Sequence, residues 1–216
     1  EIREKGKTIA TSRWIDTSQL VLFGTGKYLE TGDTTSTYPQ TMYGIWDTGS
    51  TVTSGQLIAQ TATVGASYTT ISQNAVAYST TGTVVKGWSL NLPTSGERLA
   101  GIPSVEDGLF TFTTITPSTS PCDFGGSGLV YTVNYYTGGM LTYPAFDTNG
   151  NGYVTSADSL AAGVSIGFAP GGVTRVRGTT NDVLVSSRAD GTLVKTPAAK
   201  APATVRGRIN WRELVQ

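Results

Sequence analysis

Between Asp147 and Asp158 the chain reads DTNGNGYVTSAD, a spacing of oxygen-bearing side chains that suits the binding of a hard cation. The stretch matches the calcium-loop pattern D-x-[DN]-x-[DN]-G-x5-E except at its last position, where Asp158 stands in place of Glu. Asp147, Asn149 and Asn151 offer side-chain oxygens on alternate residues. Gly152 supplies the sharp turn, Tyr153 a backbone carbonyl, Thr155 a direct or water-mediated oxygen, and Asp158 closes the shell. Such ligands suit Ca²⁺ and suit neither zinc nor copper. The plainer alternative is that Asn149-Gly150 and Asn151-Gly152 are only tight turns, but turns alone do not need an acid at each end of the window. With charge only on Asp147 and Asp158, and with Asp158 one methylene short of an easy bidentate grip, binding is expected to be weak, roughly 10⁻⁴ to 10⁻³ M.

The elements expected to position this loop are a strand before it, MLTYPAF, and a short helix after it over Ser159–Ala162. That makes a strand-loop-helix clip, in contrast to the helix-loop-helix unit of paired calcium sensors.

Composition narrows the surroundings. Thr is one residue in six, Gly numbers 27 and charged residues are 14%, the profile of an exported all-β protein with many turns. His is absent, which excludes histidine triads, zinc-histidine sites and imidazole acid/base work within the chain. Cys122 stands alone, so no disulfide closes inside the chain; a buried thiol is expected, with pairing to a cysteine elsewhere as the alternative. No apolar stretch is long enough to span a membrane, and EIREKGKTIATSRW has no signal core, which suggests a removed leader or a piece of a longer protein. Nine acids face Lys86 and Arg98 between residues 28 and 158, an acidic middle that favours cations. Eight bases face three acids from residue 171 onward, but they interleave with strand-like RVR and VLV stretches and read as a solvated face, not a nucleic-acid site.

Along the chain, QLVLFGTG reads as a buried strand whose GTGK lacks the other residues of a phosphate loop. A polar loop, residues 29–40, leads to the strand TMYGIWD, and a short amphipathic helix is expected near Gln56–Thr61. Strand signals then recur as VVKGWSLNL, ERLAGIPSV, GLFTFTTITP, GLVYTVNYY, VSIGF, GVTRVRG, DVLVSSR, GTLVKT and TVRGRINWRELV, with turns at Asp107-Gly108 and Arg188-Ala189-Asp190-Gly191. Antiparallel meanders of about 40 to 50 residues favour propeller blades over a sandwich or barrel. Trp46, Trp88 and Trp211 are expected to wedge between neighbouring sheets.

The segments LVLFGTGKYLETGD, QTMYGIWDTGS, KGWSLNLPTSGERL, FTTITPSTSPCDFGGSG and GRINWREL, in this order from Leu20 to Leu214, resemble the C-terminal domain of the PilC/PilY family of type IV pilus tip-associated adhesins and biogenesis factors. The resemblance implies a modified β-propeller, of which residues 1–216 would hold the last blades. It also implies Ca²⁺ in an Asp/Asn-rich loop, here Asp147, Asn149, Asn151, Tyr153, Thr155 and Asp158, with calcium governing pilus extension and retraction in some members. Implied partners are minor pilins of the pilus tip complex, with host-cell or surface receptors reached through an N-terminal region that this chain lacks. The implied location is the cell surface at the pilus tip, associated with the outer membrane and reached through the periplasm. An Arg-Gly-Asp tripeptide is absent.

Two other functions are weighed against this reading. A catalytic propeller such as a quinoprotein dehydrogenase or sialidase is disfavoured, since there is no histidine, no paired-carboxylate cluster, and SSRADGTL departs from the sialidase box. A generic calcium-dependent cohesion module would repeat the loop, and here it occurs once.

Overall fold

The computed structural model describes residues 9–15, 18–120, 122 and 125–200. Among the described residues fourteen strands form three sheets. The first sheet orders β1 (Ile9–Ile15), β2 (Ser18–Gly24), β3 (Thr41–Asp47), β7 (Gly87–Asn91) and β4 (Leu57–Gln60). The second orders β5 (Ala62–Val64), β6 (Tyr68–Ile71), β11 (Gly163–Phe168), β10 (Gly126–Asn134), β9 (Leu109–Pro117) and β8 (Arg98–Glu106). The third is β12 (Thr174–Val176), β13 (Asp182–Ser187) and β14 (Leu193–Ala198). Pairing is antiparallel throughout except between β4 and β7.

The sheets pack face to face with the second in the middle, the relation between successive blades of a propeller. One core joins the first and second sheets through Leu20, Leu22, Met42, Trp88, Leu90, Phe110, Phe112, Tyr131 and Val133. Another joins the second and third through Leu109, Val130, Phe146, Ile166, Leu184 and Ala198. Strands β9 and β10 are therefore buried on both faces along most of their length, and the threonines there do not face water. Thr111, Thr113, Thr114 and Thr132 are all buried. Thr111 and Thr132 stand opposite each other with their hydroxyls 3.2 Å apart, so a β-branched side chain fills the pleat while its oxygen keeps a partner. The architecture is all-β and propeller-like but modified, because β5 and β6 leave the first sheet for the second before β7 returns.

Several expectations are corrected. Residues 56–61 form no amphipathic helix: a single 3₁₀ turn ending at Gln56 (Ser54–Gln56) runs into β4. Six residues scarcely repay helix nucleation, whereas as a strand Leu57–Gln60 pairs with Gly87–Leu90. There the Gln60 amide donates to the Asn74 and Thr137 carbonyls and accepts from Ser72 and the Asn74 N–H. MLTYPAF is not a regular strand; only Phe146 bridges, to Ala198. Ser159–Ala162 is not helical, because the Ala162 N–H and C=O are already taken by Thr69 and Thr132 of the second sheet. Cys122 is exposed, where a buried thiol was expected.

Of the three indoles, Trp88 is the inter-sheet wedge. It is fully buried, donates to the Tyr135 carbonyl at 3.1 Å, and lies so close to Gly44 and Gly138 that a Cβ on either would meet its ring at 2.3 Å. Trp46 is only partly buried; it sits at the rim against Tyr78 with the Lys86 ammonium 5.0 Å from its ring centre. Trp211 lies outside the described residues.

Candidate metal centre

The loop predicted to take calcium hangs between two sheets. On the entering side, Pro144 has no N–H to offer a ladder, and the chain first joins the third sheet at Ala145. The Ala199 N–H donates to the Ala145 carbonyl at 2.9 Å, Phe146 bridges Ala198, and the Asp147 N–H donates to the Pro197 carbonyl at 3.4 Å. Residues 145–147 thus act as a stub of a fourth strand beside β14, anchored by the fully buried Phe146 ring. On the leaving side, Ala162 locks between Thr69 and Thr132, and β11 follows in the second sheet.

Inside the loop, main-chain N–H groups gather on side-chain oxygens. Asp147 Oδ1 accepts from Gly150 at 2.7 Å and Asn151 at 3.2 Å, and its Oδ2 accepts from Gly152 at 2.7 Å. Asn149 Oδ1 accepts from Asn151 at 3.1 Å, and Asn151 Oδ1 from Tyr153 at 2.8 Å. Gly150 and Gly152 have φ of +76° and +87°, the left-handed region that glycine enters without strain. The oxygens of the three alternate ligand positions are therefore directed at one turn of backbone.

Asp158 is placed differently. It is only 6% exposed, its Oδ1 accepts the N–H groups of Thr148 at 2.8 Å and Asn149 at 3.1 Å, and its Oδ2 that of Thr155 at 2.8 Å. The Thr148 and Thr155 hydroxyls approach the same oxygens at 3.3 Å. Burial by itself raises its pKa, but the backbone bonds from Thr155, Thr148 and Asn149 together outweigh that and hold the carboxyl below its ordinary range.

The donor set fits a hard cation. Asp147 Oδ2, Asn149 Oδ1 and Asn151 Oδ1 each accept one of these bonds and keep a second lone-pair direction, and Asp147, Asn149, Asn151, the Tyr153 carbonyl and Thr155 bring oxygen alone. Asp158 would complete the shell by yielding part of its backbone bonding; as it stands, it ties the two ends of the loop together. Among the described residues no three His, Cys, Asp or Glu side chains gather as a metal group. A site here therefore depends on amide and main-chain oxygens, consistent with weak binding.

Comparison with known proteins places this architecture. No family model matches the chain. A type IV pilus biogenesis factor PilY1 of Pseudomonas aeruginosa is 30% identical over 228 aligned positions, covering 89% of this chain, and another from that species is 36% identical over 63% of it. The crystal structure of the Pseudomonas aeruginosa PilY1 C-terminal domain superposes with a TM-score of 0.68 at 28% identity, over 87% of this chain. The chain is homologous to the PilY1 C-terminal domain. A PilY1 homologue of Xylella fastidiosa, 28% identical over 91% of this chain, extends the relationship beyond one genus. The chain spans 19% and 14% of the length of the two Pseudomonas PilY1 relatives and 43% of the solved domain. It thus corresponds to part of the PilY1 C-terminal domain, which in those relatives belongs to a much longer protein.

Three charged residues that carry local structure were not foreseen. Arg98, 1% exposed, donates to four carbonyls: Nε to Gly96, Nη1 to Lys27 and Asp33, and Nη2 to Ser36. It clasps the polar loop after β2, which Asp33 also caps by accepting the Leu29 and Glu30 N–H groups. Its neighbour Glu97, also buried, accepts from Thr114, Tyr131 and the Thr94 N–H. Arg175, expected on a solvated face, is buried; it meets Asp182 and the Ala199 carbonyl, and reaches Thr111 in the second sheet. The solvated reading describes Arg177, which pairs with Asp107 at 2.6 Å on the surface. The register explains the inversion: with Arg175 inward, Val176 is turned outward and is 52% exposed.

Proposed function

We propose that this chain is the C-terminal part of a non-enzymatic PilY1-type protein acting in type IV pilus biogenesis, and that its loop from Asp147 to Asp158 is a calcium clip between two blades. The observation that carries the proposal is where the loop is fastened: to the third sheet through Ala145–Asp147, and to the second through Ala162. An ion drawn onto Asp147, Asn149, Asn151, Tyr153 and Thr155 shortens and stiffens the link between those sheets. A weak site empties and refills as external calcium changes, since at about ten times Kd the ion adds only roughly 1.4 kcal/mol of stability. That range suits a regulator of twitching motility and adhesion at the cell surface.

Homology to proteins named as pilus biogenesis factors supports this reading over a catalytic propeller. Minor pilins of the tip complex are the proposed partners, with surface or host receptors contacted by other parts of the full-length protein. The proposed location is extracellular, at the pilus tip; among the described residues no helix is long and apolar enough to cross a membrane. Twitching of strains whose full-length protein carries Asp147→Ala tests the switch. The expected result is piliation that no longer responds to external calcium. A calcium response equal to that of the wild type would reject the switching role.

A further inference from the structure

The sequence contains two Asn-Gly dipeptides, and both lie in the calcium loop: Asn149-Gly150 and Asn151-Gly152. Asn-Gly is the dipeptide most prone to succinimide formation, because glycine has no side chain to obstruct the approach of its nitrogen to the asparagine side chain. Four residues in succession, Asn149 to Gly152, are exposed, and an ideal Cβ on Gly150 or Gly152 would find no atom within 4 Å. Nothing packed around the loop prevents either asparagine from folding back onto the following backbone nitrogen.

What restrains them is the loop's own bonding. The Gly150 and Gly152 N–H groups are held by Asp147, and the two asparagine carbonyls by Asn151 and Tyr153 N–H groups. These bonds are solvent-exposed and open easily. A calcium ion seated on Asp147, Asn149 and Asn151 would pin the same three side chains, and the reactive geometry would then be out of reach.

We propose that Asn149 and Asn151 are calcium-guarded deamidation sites, so that the loop records covalently the time it spends without calcium. The step needs only water. The glycine nitrogen loses its proton to hydroxide and bonds to the asparagine Cγ; the water so formed returns a proton to Nδ2, and the Cγ–Nδ2 bond breaks to release ammonia. Water then opens the resulting ring, and no electrons are exchanged with any partner. Opening at one carbonyl gives Asp and adds a charged ligand in place. Opening at the other gives isoaspartate, which routes the main chain through the side chain and inserts one carbon between alternate ligands. The first product strengthens the site, and the second destroys its spacing. The guard rests on the calcium reading of the loop; the modification itself does not.

The test is peptide mapping by mass spectrometry, with isoaspartate detection, of the wild-type protein incubated at mildly alkaline pH in EDTA or in saturating Ca²⁺. A calorimetric calcium titration is run beside it. Asn74, Asn91 and Asn134, followed by Ala, Leu and Tyr, serve as references within the same molecule. In EDTA, Asn149 and Asn151 should convert on the order of tenfold faster than the references. Calcium should suppress their conversion in the wild type and fail to do so in Asp147→Ala. Conversion no faster than the references would overturn the sites. Fast conversion unaffected by calcium that calorimetry shows to be bound would overturn the guard. Fast conversion with no calcium bound would overturn the guard too, by removing the calcium reading beneath it while leaving the modification sites standing.

Discussion

Arg98 and Asp158 do the same mechanical job with opposite charges. Each is almost fully buried and each holds a loop by its main chain: Arg98 through the carbonyls of Lys27, Asp33, Ser36 and Gly96, Asp158 through the N–H groups of Thr148, Asn149 and Thr155. The difference lies in what each leaves over. Arg98 is a permanent cation whose donors point to oxygens 62 to 71 residues away and to its own turn, so that loop is set once the second sheet has formed. Asp158 ties a loop whose other acid, Asp147, is half-exposed and offers lone pairs to a cation. A cationic clasp makes a fixed loop; an anionic clasp beside a second acid makes a loop whose stiffness, under the proposed calcium clip, would follow the surrounding ion concentration.

The comparison can be broken by four substitutions at three residues, in falling order of effect. Arg98→Ala leaves one buried and three half-buried carbonyls without their donor and, at about 1–3 kcal/mol for each group that water cannot reach, should cost about 3–5 kcal/mol in urea unfolding. That is on the scale of Trp88→Ala, at about 3–5 kcal/mol, and a loss below about 1 kcal/mol would mean that water replaces the guanidinium. Arg98→Lys should recover only part of the loss, because a single ammonium cannot reproduce the planar fork. Asp158→Ala should cost about 1–3 kcal/mol without calcium, as the Thr148, Asn149 and Thr155 N–H groups lose their acceptor. Asp147→Ala should cost least in EDTA, because the N–H groups it holds are exposed and can turn to water.

Acid separates the clasps further. The Asp158 carboxyl titrates below its unfolded value of about 3.9. Its contribution is therefore complete above that pH and is lost as pH falls through the lower folded value. Unfolding curves in EDTA should show the stability gap between wild type and Asp158→Asn narrowing as pH drops below about 4. The gap between wild type and Arg98→Ala serves as the reference for the same curves. A pH-independent Asp158 gap would remove that carboxylate from its backbone role.

The strands were legible where alternation and turn residues agree. Leu20 and Leu22 of β2 point into the core, and Asp107-Gly108 turns β8 into β9 with both residues at positive φ. Legibility failed where a polar side chain faces inward. Gln60 ends a strand that reads as helix, and Arg175, between Thr174 and Val176, takes the inward position while the apolar Val176 faces out. Arg98 was hidden for another reason: its partners are main-chain carbonyls, and composition carries no trace of where a carbonyl will point. The same holds within the candidate site. Spacing alone marks Asp147, Asn149, Asn151, Tyr153, Thr155 and Asp158, but it does not show that Asp158 is already bonded to the loop's own backbone. Nor does it show that residues 145–147 extend the third sheet.

A calorimetric titration of Ca²⁺ into wild type and Asp147→Ala, with the thermal midpoint followed over the same concentrations, tests the clip most directly. The account predicts a single site in the wild type with Kd of roughly 10⁻⁴ to 10⁻³ M, a midpoint that rises as the site fills, and neither effect in the variant. Equal heats and equal midpoint shifts in the two proteins, or no calcium-dependent shift in the wild type, would contradict it.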